Sequence, residues 1–215
     1  MENPQNLVPL QSAYRALHST ETAGTRVVKD LLSATASKSL SVMLSLDISA
    51  AFDNLDHPRL LVRGKNLFGF DSADLQWLEL YIVWREQFVG VASCHSWAVK
   101  LVSGVPQGSV IRPLLFSIFT KPVGNLISSF EIRYHQFTNE TQLHAVINTT
   151  SPTGLATLSA CANAVTRRYT RNDLLLNPTK REDIVIGTRQ QIVKWRESRS
   201  AVRRFRSARH FGSLE

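Results

Sequence analysis

Stretches in which apolar residues recur every three or four positions alternate along this chain with short, unbroken apolar runs. Residues 19–37, STETAGTRVVKDLLSATAS, carry a stripe at Val27, Val28, Leu31 and Leu32, with Ser19 or Thr20 available as a cap, and predict a helix. SVMLSLDI, 41–48, predicts a buried strand that ends in an acid. Residues 51–70, with Pro58 near the start and Gly69 near the stop, predict a helix. A second helix is expected from Asp71-Ser72 to about residue 85, with Trp77, Leu78, Tyr81 and Ile82 on one face. Residues 87–92 and 97–102 pair as a hairpin, and GVPQGS then turns the chain into a helix over 110–128. Ser109 caps that helix, and Pro113 is tolerated in its first turn. Strand–turn–strand follows at 131–147 with polar Thr138, Asn139 and Glu140 at the tip. A helix over 151–171 comes next, then LLLNPTKREDIVIG as strand, Asn-Pro turn and strand. The pattern is α+β, an antiparallel sheet with helices on one side.

Composition narrows the class without naming a function. The chain has 215 residues, 43% of them apolar, which is enough for a substantial core. Two cysteines without paired spacing argue against a disulfide scaffold and fit a reducing compartment. The six histidines form no zinc-ligand pattern with them. The first residues carry no basic-then-apolar leader, and the most apolar stretch, 110–119, is far short of the roughly 20 residues that span a bilayer. A soluble, intracellular protein is expected, cytoplasmic or nuclear and without a membrane partner. The net charge of +8 is uneven: residues 189–215 hold eight Lys and Arg against two Glu, which leaves +2 for residues 1–188. Such a tail can grip phosphates or stay solvated.

The acid at the end of the first strand is the first candidate for chemistry. Asp47 can cap the helix that follows, or it can serve as an oxygen ligand for Mg²⁺. Phosphoryl transfer uses paired metals, roughly 3.5–4 Å apart, that clamp attacking and leaving oxygens, and one carboxylate cannot hold both. The hairpin tip at 138–140 is the candidate partner. Phosphate-binding GxxxxGK[ST], dinucleotide-binding GxGxxG and nucleophile-bearing GxSxG patterns are absent.

Taken in order, the segments resemble the reverse transcriptase domain of LINE-type (non-LTR) retrotransposons, in particular the jockey/CR1-like branch. QSAYRALHSTETA (11–23) is similar to that family's fingers segment and SLDISAAFDNLDHPRLL (45–61) to polymerase motif A. LQWLELYIVWREQFVGV (75–91) is similar to the linking helix and strand, and SGVPQGSVIRPLLFSIF (103–119) to motif B. FTNETQL (137–143) stands at motif C, and LLLNPTKRED (174–183) resembles motif D. Sixty residues separate Asp47 from Gln107 and 32 separate Gln107 from Asn139, the family's order and spacing. The resemblance covers about 11–191. It implies partial fingers over 1–40, a palm over 41–191 and a divergent, disordered basic tail over 192–215, with no thumb.

The resemblance also implies roles. Asp47 would be the motif A metal ligand, with the Ile48 carbonyl a second contact, for two Mg²⁺ ions. Phe52 would reject a 2′-hydroxyl by size, and Gln107 and Gly108 would lie against the incoming nucleotide. Lys180 would stand near the leaving pyrophosphate, Arg15 at the template, and Asn139 and Glu140 at the two motif C aspartate positions. Asp53, Asp56 and His57 match the pattern and serve the fold. RNA template, DNA primer and deoxynucleotides are the implied partners.

Three departures change what is expected. The family's motif C ends in two aspartates. Asn139 keeps an oxygen and loses the charge, and Glu140 moves its charge outward by a methylene. Arg112 replaces a glycine of motif B, adding bulk and charge beside the nucleotide pocket. Beyond residue 191 the similarity ends. The expectation is a polymerase domain by descent with little or no activity; the alternative is a non-catalytic nucleic-acid-binding remnant that uses the template groove and the basic tail.

Overall fold

The computed structural model describes residues 10–12, 17–36, 39–147 and 153–199. Its elements run α1 (Thr20–Ala36), β1 (Leu40–Ser49), α2 (His57–Phe68), α3 (Ser72–Ile82), β2 (Glu86–Gln87), β3 (Gly90–Val91), β4 (Cys94–His95), β5 (Val99–Lys100), α4 (Arg112–Ser128), β6 (Arg133–Phe137), β7 (Glu140–Ile147), α5 (Thr153–Thr170), β8 (Leu175–Leu176), β9 (Glu182–Ile186) and α6 (Arg189–Arg199). The strand over 41–48, the helices near 20–36, 72–82 and 112–128, and the hairpin around residue 138 stand close to where hydrophobic spacing put them.

β1 is the centre of the main sheet because its apolar run can be covered on both faces. β7 pairs along one edge, from Leu40 opposite Ile147 to Asp47 opposite Glu140. β9 and β8 share the other edge end to end, β9 along Ser41–Ser45 and β8 along Ile48–Ser49, and β6 completes the sheet beyond β7. Leu40, Val42, Leu44, Leu46 and Ile48 alternate onto the core face with Leu143, Ala145 and Ile147 of β7. Phe116, Ile118 and Phe119 of α4 and Leu158, Cys161, Val165 and Tyr169 of α5 join the same core. Each such fully buried Leu, Ile or Phe contributes about 1.5–3 kcal/mol.

The other face carries Ser45 and Asp47, and α1 lies over it. Thr20, Ala23, Val27 and Val28 close a cavity of about 300 Å³ against His135, Phe137, Glu140 and Gln142. Helices therefore flank both faces, not one. The correction follows from β1 itself: Ser41 and Ser45 are buried, as are the leucines beside them, so both faces need cover.

Local chemistry moves three further boundaries. α2 begins at His57, not near 51, because Asp56 caps it by accepting from Arg59 N at 2.8 Å and Pro58 suits the first turn. α4 begins at Arg112 with no side-chain cap, and the Ser109 hydroxyl instead accepts from Tyr81 Oη. The expected unstructured tail from 192 is, through Arg199, the body of α6, which sends Trp195 into the core at 9% exposure. Residues 200–215 lie outside the described residues. The 87–102 segment is two nested two-residue pairings, β2 with β5 and β3 with β4. Among the described residues no helix is long and apolar enough to cross a membrane.

Candidate active site

Strand pairing brings Asp47 and the β6–β7 hairpin together. Phe137 pairs with Glu140, so the turn is Thr138-Asn139 alone and Glu140 is the first residue of β7. Thr138 holds φ 49°, the positive value that a two-residue hairpin of the II′ kind requires at its first central position. Its hydroxyl donates to the Phe137 carbonyl at 2.7 Å and to Asn139 Oδ1 at 3.1 Å. The backbone locks the tip to β1, since Ile48 N donates to the Asn139 carbonyl at 3.2 Å. On the other side Asn177 N donates to the Asp47 carbonyl at 2.8 Å, and the 3₁₀ turn Pro178–Lys180 swings Lys180 back over the site.

The Asp47 carboxylate, 14% exposed, is thereby satisfied from two directions. Asn139 Nδ2 donates to Asp47 Oδ1 at 2.8 Å and to the Ile48 carbonyl at 3.1 Å, and Lys180 Nζ stands 3.5 Å from Asp47 Oδ2. The oxygens that would ligate a cation each face a donor hydrogen. Glu140 shares the face but is turned aside: its Oε1 accepts from Ser45 Oγ at 2.6 Å and from Gln142 Nε2 at 3.0 Å.

A second cluster joins the loop after β1 to the loop before α4. Val105 N donates to the Phe52 carbonyl at 3.0 Å, Gly104 N to the Leu55 carbonyl at 2.8 Å and Ser103 Oγ to the Asp53 carbonyl at 3.1 Å. His57 Nε2 bonds the Gly104 carbonyl at 2.7 Å. Gly104 holds φ 85°, and a Cβ there would meet the Asp53 carbonyl oxygen at 2.7 Å, so both backbone and space require glycine. Phe52 packs on Phe116, centroids 4.9 Å apart, and the Arg112 guanidinium lies 4.3 Å over its ring. Arg112 Nη2 also stands 3.4 Å from Asp53 Oδ1. Gln107 and Gly108 are exposed on the connecting turn, with Gly108 at φ 78°. Arg15 lies outside the described residues.

Thus Asp47, Ile48, Asn139 and Lys180 meet directly, with Glu140 beside them but engaged elsewhere, while Phe52 belongs to the loop junction. Sequence reading missed Ser45, Gln142 and Gly104. Ser45 carried a faint signal, a polar residue between Leu44 and Leu46, Gln142 stood among other polar residues of β7 and carried none, and Gly104 opens the GVPQGS turn.

A family profile described as reverse transcriptase (RNA-dependent DNA polymerase) matches residues 1–199. The chain belongs to the reverse transcriptase family. It is 37% identical over 115 residues to the RNA-directed DNA polymerase from mobile element jockey of Drosophila funebris, covering 54% of this chain and 12% of that protein. The Drosophila melanogaster jockey polymerase is 36% identical over 115 residues, 51% of this chain and 12% of the relative. The chain thus spans about an eighth of these relatives' length. Among solved structures, apo telomerase from Candida tropicalis truncated from its C-terminal domain superposes with a TM-score of 0.63 at 11% identity, over 83% of this chain and 36% of that one. Telomerase from Candida albicans with the TWJ fragment of telomeric RNA gives 0.62 at 12%, over 83% and 32%. At such identity the likeness concerns the fold.

Within this reverse transcriptase fold, the donor set does not fit the two Mg²⁺ ions that the resemblance implies. Among the described residues no three His, Cys, Asp or Glu side chains are grouped to hold a metal. Rotating the Asn139 amide would offer Oδ1 beside Asp47 Oδ1 and the Ile48 carbonyl, an oxygen triad with a single negative charge. Mg²⁺ dehydrates reluctantly and is held through carboxylates, and the Lys180 ammonium opposes it from the other side. The disagreement lies in the chemistry of the residues themselves.

Proposed function

We propose that the chain is the palm and part of the fingers of a retrotransposon reverse transcriptase, by descent an RNA-directed DNA polymerase, in which nucleotidyl transfer is impaired. RNA template, DNA primer and deoxynucleotides are its partners in that reading. Asp47 is the remaining motif A ligand, Phe52 lies at the sugar, Gln107 and Gly108 lie at the nucleotide, and Arg15 approaches the template. The observation that carries the impairment is the Asn139 Nδ2 bond to Asp47 Oδ1 at 2.8 Å. An amide donor stands where a second carboxylate would face the first across a cation. Lys180, placed by descent to meet a leaving pyrophosphate, is engaged with Asp47 instead.

What remains of the site's work is positioning. The β1–β7 pairing holds Asp47 at the sheet's end, and the loop junction at Gly104 fixes Phe52 against Phe116. A primer-extension assay on a primed RNA template with Mg²⁺ or Mn²⁺ tests the reading. No template-dependent product is expected from the unaltered chain. Extension that Asp47→Ala abolishes would overturn the impairment and leave the polymerase assignment standing.

A further inference from the structure

Phe52 is where, on the reading above, a nucleotide's sugar would come to rest, and this inference rests on that reading. The ring is already covered. The Arg112 guanidinium carbon lies 4.3 Å over the ring centroid, on the negative face where a cation is attracted. Phe116 packs against the same ring at 4.9 Å. Arg112 is held there by its place at the start of α4 and by Asp53 Oδ1, 3.4 Å from Nη2, with only 18% of its side chain exposed. Its Nε is buried and, among the described residues, has no hydrogen-bond partner. The guanidinium is thus only partly satisfied by hydrogen bonding, through Nη2 to Asp53, and it is the ring face that its buried remainder rests on.

We propose that Arg112 is a specificity-determining residue that fills the sugar subsite, so that Phe52 neither receives a deoxyribose nor rejects a ribose while Arg112 lies on it. A nucleoside triphosphate reaches the ring only by displacing the guanidinium. Its apparent affinity is reduced by the fraction of time the cover is in place.

The charge makes the test sharp. A site that used Arg112 to hold phosphates would lose affinity when the arginine is removed, because a cation facing an anion is lost. A site that Arg112 covers gains affinity on the same change. The full-length chain and its Arg112→Gly and Arg112→Ala variants are titrated with fluorescent dATP and ATP in metal-free buffer at physiological salt. Both variants should bind dATP tighter by on the order of tenfold, the scale of one desolvated cation–π contact. They should also prefer dATP to ATP, a preference absent from the unaltered chain.

4-Fluorophenylalanine placed at residue 52 reads the cover without any ligand. Its ¹⁹F resonance should shift on Arg112→Ala, and dATP should shift it further in the variant only. Unchanged or weaker dATP binding in both variants, or a ¹⁹F resonance that ignores Arg112, overturns the proposal. No chemical step is involved, so these outcomes stand apart from the primer-extension result.

Discussion

Replacing Asn139 by Asp puts the metal argument to a quantitative trial. The amide donor 2.8 Å from Asp47 Oδ1 becomes a carboxylate oxygen, and two negative charges face each other at about 4 Å. At the effective dielectric near a protein surface that repulsion is about 4 kcal/mol. Lys180 offsets only a little of it, because its side chain is two-thirds exposed and such pairs are worth 0–1 kcal/mol or so. Sharing a proton between the carboxylates relieves part of the rest. Asn139→Asp without metal should therefore be less stable by about 2–4 kcal/mol. A divalent ion reverses this by binding the folded state alone: at a hundredfold excess over Kd it adds about 2.7 kcal/mol. For a chain of this size each kcal/mol moves Tm by about 2–4 °C, so the variant should gain about 5–10 °C with Mg²⁺. The unaltered chain should gain little beyond the ionic-strength effect. The assay is calorimetry across a MgCl₂ series against NaCl of matched ionic strength. An equal Mg²⁺ response from both proteins would refute the claim that Asn139 excludes the metal. No response from the variant would refute the claim that the missing carboxylate is the deciding defect.

Two further outcomes follow from buried side chains. Burial pushes His144 down to about 4, partly opposed by Asp30 and helped less by His135 and then Arg133, and among the described residues neither ring nitrogen has a hydrogen-bond partner. Its folded state prefers the neutral imidazole, so the stability is fully present above the ordinary value near 6.5 and is lost as pH falls from there to about 4. The difference corresponds to about 3 kcal/mol. His144→Gln should flatten that part of the stability–pH curve in urea titrations, and parallel curves for the two proteins would refute the assignment. Trp195, 9% exposed within the core, should cost about 3–5 kcal/mol on Trp195→Ala, read as a Tm fall of about 6–20 °C. A fall within 1 °C or so would return residues 192–199 to the status of a solvated tail.

What the sequence made legible is what local rules govern. β1 declares itself because SVMLSLDI is a short apolar run without Gly, Pro or Asn, and Asp47 declares itself because an acid ending such a run needs a reason. The order and spacing of Asp47, Gln107 and Asn139 carry the family because those distances along the chain fix which strands must meet. What was not legible is what depends on a partner distant in sequence. The capture of Glu140 by Ser45 links residues 95 apart, and the Arg112 cover on Phe52 links residues 60 apart. The boundary at 191 failed for the same reason. The stretch WRESR reads as a charged tail, and only the core beneath Trp195 gives its helix a side to bury.

The two losses that were legible, Asn for Asp at 139 and Arg for Gly at 112, share a physical logic visible only in three dimensions. On the proposed reading, each puts a donor of the chain's own where a cation or a ligand would sit: Asn139 Nδ2, across from Lys180 Nζ, on Asp47, and the Arg112 guanidinium on Phe52. An unmet carboxylate in a half-buried cleft costs stability unless something answers it, and an aromatic face attracts a cation that can lie on it. A polymerase lets cations and nucleotides answer it. On the proposed reading, this chain answers from within. The consequence is an order of repair. Restoring the carboxylate at 139 without uncovering Phe52 should recover Mg²⁺ binding alone, and clearing Arg112 without the carboxylate should recover nucleotide binding alone. If either substitution by itself recovered both, the two clusters would be one coupled site, and the separate accounts of Asp47 and Phe52 would be wrong.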